Sequence, residues 1–273
     1  MNMTHVTRVF GERMRLWPIG LVAAVLASGF TSEATGTAVA PPAAMASFGP
    51  GGADAPGLMV AASSHDERIS EVRSTFDVES WADSEVGRMD RSVLRLALRA
   101  SQCAIAAGAV KAPATLTVID YSKASVEPRL WVLDLRSRAL LYEELVSHGQ
   151  GSGANMATRF SNTPESHQTS IGLFVTDQPY VGRNGYSLRL DGLDEGFNDR
   201  ARERAIVMHG ASYVNAAITK SLGRLGRSHG CPAVRDAVAP ELIDRVKGGS
   251  LVFAYYPDAE WLRSSKFLGN CGT

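Results

Sequence analysis

Neither sign of charge is in excess: 28 Lys and Arg stand against 28 Asp and Glu in 273 residues. The basic field that draws a chain onto nucleic acid is therefore missing, and no nucleic-acid partner is expected. Cysteine is scarce. Three in a chain of this length do not make a disulfide framework, which needs dense, even-numbered Cys. At least one is left over. A Cys103–Cys271 bridge would leave Cys231 free, and two independent buried thiols satisfy the count equally well. Neither Cys-x-x-Cys nor His-Glu-x-x-His spacing occurs, so no dedicated metal site is marked and no cofactor is expected. A zinc set of His209, His229 and Cys231 is the weaker competitor. No fixed-period repeat is visible, which excludes solenoids.

No apolar run reaches the roughly 20 positions of a spanning helix. Arg8, Arg13 and Arg15 instead precede an uncharged stretch whose apolar heart, Leu21 to Ala27, is short and followed by small residues. That pattern reads as an export signal over 1–34, cleaved between Ser28 and Ala40. The alternative is an uncleaved anchor, and in either case the membrane enters only through this segment. Residues 35–65 are mostly Ala, Gly, Pro, Ser and Thr, too poor in apolar bulk to offset ordering entropy, and read as a disordered tether. Residues 66–112 form a helical lead-in. There Asp90 caps a helix with Arg88, Arg91, Arg95 and Arg99 on one side and Leu94, Ala97, Leu98 and Ile105 on the other. The arginine row reads as a solvated face.

Beyond Pro113 the period becomes that of strands, at 116–121, 129–134, 171–176, 186–190, 205–208 and 251–256. A helix is expected over 237–246, ended by Gly248 and Gly249. Many short strands and few helices predict a mainly β sandwich or barrel over 113–260, with 261–273 as a tail. The polar stretch from Ser147 to Ser170 is long for a loop inside a domain and is expected to border a cleft.

The segment Ser228-His229-Gly230-Cys231-Pro232 sets a thiol on a tight bend. If the Gly230 and Cys231 amides point the same way, they form an oxyanion hole for acyl transfer. A thiol needs a base or a cationic neighbour to ionise near neutral pH. His229 and His209 are the two candidates. His209, at the end of an apolar strand, is preferred because a sheet would hold it, with the Gly210 carbonyl available to fix its tautomer.

Ser228-His229-Gly230-Cys231 following His209-Gly210 resembles the catalytic motif of the YkuD-type L,D-transpeptidases. Ser161-Asn162-Thr163-Pro164, Ser166-His167-Gln168-Thr169-Ser170, Leu188 to Leu193 and Gly223 to Ser228 resemble further segments of that family, so the likeness runs over about 116–257. The resemblance implies a YkuD-like β-sandwich catalytic domain with a few flanking helices, Cys231 as nucleophile and His209 as base. It also implies that His229, Gly230, Gly210 and Ser228 line the pocket. The reaction it implies begins on the tetrapeptide stem of peptidoglycan. The thiolate attacks at diaminopimelate, D-alanine leaves, and the acyl group passes to another stem's amine, a protein amine or water. The partners are then peptidoglycan stem peptides, with a protein amine acceptor as an option, and the location is the periplasm or cell envelope. One departure is visible. The family pattern continues after Cys with an apolar residue and Arg, whereas Pro232-Ala233-Val234 precede Arg235 here. Arg227, Arg224 and Arg235 are the candidates to hold the substrate carboxylate instead.

Overall fold

The computed structural model describes residues 75–269 and 271. The expected signal (1–34) and tether (35–65) lie outside the described residues. Eight strands, β1 (Thr115–Asp120), β2 (Leu130–Asp134), β3 (Ala139–Glu144), β4 (Gly172–Gly182), β5 (Gly185–Gly192), β6 (Val207–Gly210), β7 (Ala233–Val234) and β8 (Leu251–Tyr255), form one sheet. Its order is β3-β2-β1-β8-β4-β5-β6-β7. Pairing is antiparallel except for β1 with β8 and β6 with β7.

The alternation of a strand divides its side chains between two cores. Leu116 and Val118 of β1, Trp131 and Leu133 of β2, Leu173 of β4, and Leu251 and Phe253 of β8 enter the first. Their neighbours Ile119, Leu130, Val132, Phe174, Val252 and Ala254 enter the second. Helices α1 (Asp83–Val86), α2 (Arg91–Ala106), α3 (Ala216–Leu222), α4 (Ala239–Val246) and α5 (Ala259–Ser264) flank the sheet. Helix α2 starts where Asp90 accepts from the Ser92 amide at 2.7 Å. It lays Leu94, Ala97 and Leu98 on the first core together with Trp261 of α5. Each fully buried leucine contributes about 1.5–3 kcal/mol. Helix α4 closes the second core with Leu242, Ile243 and Val246. The expected mainly β, sandwich-like architecture with a few flanking helices is the one observed.

The arginine row of α2 is a solvated face that pairs with its own protein. Arg88, Arg91 and Arg95 bind Glu143, Asp83 and Glu79. Cys103 of α2 and Cys271 form a disulfide with Cα atoms 5.1 Å apart, which leaves Cys231 as the free thiol. Strands β3 and β7 were not expected. β3 lacks β-branched residues, and β7 is too short to show a period. The strand expected from Ala205 begins later, because Ala205 sits at φ 52° and the Ile206 amide turns back to the Ala201 carbonyl at 2.9 Å.

Candidate active site

Strand β6 lies between β5 and β7, with His209 opposite Ser187 on one side and Ala233 on the other. Met208 enters the second core, so the strand's alternation sends His209 to the opposite face. There it borders a cavity of about 700 Å³ that Cys231 also lines. His209 Nδ1 lies 2.7 Å from the Gly210 carbonyl oxygen. A carbonyl can only accept, so Nδ1 carries the hydrogen and Nε2 keeps its lone pair. Burial pushes the imidazole's pKa below its usual value, against the opposing pulls of the Gly210 carbonyl and Asp236. At neutral pH it rests as a free base.

Cys231 stands two residues before β7, so the parallel β6–β7 register fixes its position relative to His209. The thiol is buried, 3.7 Å from the Ala205 carbonyl oxygen, and burial pushes its pKa up. The resting pair is therefore thiol and imidazole rather than an ion pair. The bend before it is tied by Ser228, whose Oγ donates to the Cys231 carbonyl at 2.6 Å and accepts from the Gly230 amide at 3.1 Å. This corrects the expected oxyanion hole. The Gly230 amide is spent on Ser228 Oγ, so it is not free to pair with the Cys231 amide. Gly230 has φ 122°, and a Cβ there would stand 2.8 Å from the Gln168 carbonyl oxygen, so the bend requires glycine.

The connection 145–171 between β3 and β4 supports this bend from behind. Ser228 donates its amide to the His148 carbonyl at 3.1 Å, and its own carbonyl accepts from Gln150 at 2.8 Å. Buried Thr169 accepts from the Gly149 amide at 2.9 Å and donates to the Gly230 carbonyl at 3.1 Å. Beneath lies Arg129, fully buried, bonded to the carbonyls of Val146 and Lys123 and, through Nη2, to His148 Nδ1 at 2.8 Å. Because a guanidinium can only donate, His148 must accept at Nδ1. Burial, and then the charge of Arg129, lower its pKa to about 4. The same connection reaches the cavity through Pro164, Glu165 and His167, as expected for a loop bordering a cleft. His167 stacks on His229, centroids 4.3 Å apart.

Of the residues singled out from sequence, Cys231, His209, His229, Gly210, Ser228 and Arg227 line this cavity. Gly230 sits buried behind the bend. Arg227 donates to the Gly153 carbonyl at 2.8 Å. Arg224 and Arg235 are not in the lining. Arg235 is held by Glu144, Nε to Oε2 at 2.9 Å and Nη2 to Oε1 at 2.5 Å, and Arg224 donates to the Leu225 carbonyl. The lining residues not singled out from the sequence include two that bear on the chemistry. Arg204 precedes the strand that carries His209, and Tyr213, with its hydroxyl pKa pushed up to about 12 by burial, faces the same space. Among the described residues, no group of three or more His, Cys, Asp or Glu is arranged to hold a metal. Nor is any helix long and apolar enough to cross a membrane.

Solved structures similar to this chain include an L,D-transpeptidase from Mycobacterium smegmatis, 15% identical with TM-score 0.33, the match covering 52% of this chain and 59% of that one. Others come from Xylanimonas cellulosilytica, 22% identical, TM-score 0.30, covering 57% and 69%, and from Stackebrandtia nassauensis, 12% identical, TM-score 0.33, covering 64% and 74%. The chain thus spans about three fifths of the length of the Mycobacterium smegmatis protein. No curated protein matches. The family model of the L,D-transpeptidase catalytic domain matches residues 85–255, well over half of the sequence, and the chain belongs to that family.

Proposed function

We propose that this chain is a peptidoglycan L,D-transpeptidase that works through a thioester on Cys231. The observation that carries the reading is that the free thiol of Cys231 shares a cavity with His209, whose Nδ1 is committed to Gly210 and whose Nε2 is left to take a proton. His209 Nε2 accepts the thiol proton as sulfur adds to the carbonyl of the L-centre of diaminopimelate in a tetrapeptide stem. The Cys231 amide faces the oxyanion. The bond to D-alanine then breaks, and His209 returns the proton to the leaving amine. An amine of a second stem, or of a protein, takes the acyl group and frees the thiol.

The 700 Å³ cavity has room for a peptide stem, and Arg227 is the lining arginine nearest in sequence to the catalytic bend. The proposal includes export by residues 1–34, a tether over 35–65 and a catalytic domain over 113–260, with action in the periplasm or cell envelope. The test incubates the purified chain with disaccharide-tetrapeptide and follows products and intact protein mass, beside Cys231→Ala and His209→Ala. Cross-linked dimer, free D-alanine and an adduct on Cys231 are expected. Tripeptide alone would make the enzyme a carboxypeptidase, and no turnover with retained binding to sacculi would make it a wall-binding protein.

A further inference from the structure

Arg204 is a half-buried cation on the cavity wall that makes no ion pair among the described residues, although Glu165 and Glu203 line the same cavity. Its Nη1 donates to the Ser161 carbonyl at 2.6 Å and to Ser170 Oγ at 2.5 Å. Its Nη2 donates to Ser166 Oγ at 3.2 Å and to the Gln168 carbonyl at 2.6 Å. All four acceptors are neutral. Neighbouring Arg200 and Arg202 instead hold Glu203, and Asp177 with Asp191. Keeping a guanidinium away from water without a counter-charge is costly, and burial lowers its pKa accordingly. The fork is aimed beside the catalytic bend. Nη2 lies 3.5 Å from where a Cβ on Gly230 would stand, and the next residue, Ala205, offers its carbonyl to the Cys231 sulfur.

We propose that Arg204 is a positioning residue whose uncompensated charge, fixed by four neutral acceptors of the 161–170 segment, stabilises the negative charge that forms at Cys231 during acylation. This deepens the reading of Cys231 as nucleophile and rests on it. The need for such a charge follows from the neutral resting pair. With His209 unprotonated, no imidazolium waits beside the sulfur, and the thiol must lose its proton to Nε2 as its electron pair forms the S–C bond. The carbonyl pair moves onto oxygen in the same step. A preorganised cation lowers the cost of both anionic sites. The other ionisable groups facing the thiol or its cavity are His167, His209, His229, Tyr121, Tyr213, Glu165, Glu203, Asp236, Arg183 and Arg227. Of these Arg183 and Arg227 are permanently positive, and Arg204 is the guanidinium beside Gly230.

The test is alkylation of Cys231 in the full chain, followed by intact mass against pH, with neutral iodoacetamide and anionic iodoacetate in parallel. Arg204→Gln is expected to raise the iodoacetamide midpoint by about one pH unit. It is also expected to lower the iodoacetate-to-iodoacetamide rate ratio several-fold, a readout that a merely structural contact would not move. Arg204→Lys keeps the charge but cannot span the four acceptors, and is expected to hold the ratio near that of the unmodified protein. An unchanged midpoint and ratio in Arg204→Gln would overturn the proposal, as would equal losses in both variants, which would make Arg204 a loop clamp. Should Arg204→Gln fail to fold, as read by its thermal melt, the ratio in Arg204→Lys decides alone: retained, it supports the proposal, and lost, it overturns it. No stem peptide enters the measurement, so this outcome is independent of the transpeptidase assay.

Discussion

Acid should loosen this protein through one buried imidazole, and the size of the effect follows from its surroundings. His148 has no exposed surface, accepts from Arg129 at Nδ1, and has its pKa lowered to about 4 in the fold, against an ordinary value of about 6.5 when unfolded. The folded pKa is the lower of the two. The unfolded chain therefore takes up a proton that the fold refuses, and stability falls as pH drops through the window between them. With those two values the loss is about 1.4 kcal/mol at pH 5.5 and about 2.6 kcal/mol at pH 4.5, and it levels off below the folded pKa. The comparison is His148→Gln, whose amide oxygen can still accept from Arg129 but cannot ionise. Urea unfolding of both proteins at pH 7.0, 5.5 and 4.5 gives the difference in stability. That difference should shift by these amounts in favour of the variant as pH falls, since every other titrating group is common to both. Parallel pH profiles would refute the account of His148 as a neutral, buried acceptor. Because its carbonyl holds the Ser228 amide, the same acidification should slow alkylation of Cys231 beyond what its own ionisation requires.

If Cys231 and His209 act as proposed, their neutral resting state should set the pH profile of the reaction. With the His209 pKa lowered by burial, the acid limb of kcat/KM should lie below the ordinary imidazole value. With the Cys231 thiol raised by burial, its alkylation should keep climbing past pH 9. Replacing Cys103 by Ala opens a covalent ring between cysteines 168 positions apart and should cost about 2–5 kcal/mol in urea unfolding while leaving Cys231 reactive. Gly230→Ala meets the Gln168 carbonyl and an unfavourable φ, and should lower kcat by about 100-fold or more with the far-UV spectrum kept. Arg235→Ala strands the mostly buried Glu144, and should cost roughly 1–3 kcal/mol of stability with KM unchanged; a raised KM would return Arg235 to the substrate.

Much of the fold could be read from the chain because its central strands are rich in Val, Ile, Leu and aromatic residues at period two. Leu116 to Ile119 and Leu251 to Ala254 each divide cleanly between two cores. β3 hid because Ala139-Leu140-Leu141-Tyr142 carries neither alternation nor β-branching. The thiol, the preferred base and its carbonyl partner were legible because each rests on local sequence, a glycine bend or a strand end. The oxyanion geometry was not. It turns on where Ser228 Oγ points, and nothing in the spacing reveals that. Arg204 was missed for a related reason: its meaning comes from four oxygens some forty residues upstream. Buried Arg129 opens a segment that reads only as a strand, and no pattern marks it as the partner of His148.

The parallel pairing of β6 with β7 separates two quantities that a sequence motif runs together. The proposed base and nucleophile are set by the register of His209 against Ala233, while the crossover stretch 214–226, which carries α3 between the lining residues Tyr213 and Arg227, only has to return the chain to the bend at 228–231. The length of that stretch is then under no chemical constraint. Relatives whose crossover is longer or shorter can keep the same catalytic geometry, and a search that demands a fixed interval from histidine to cysteine will pass over them.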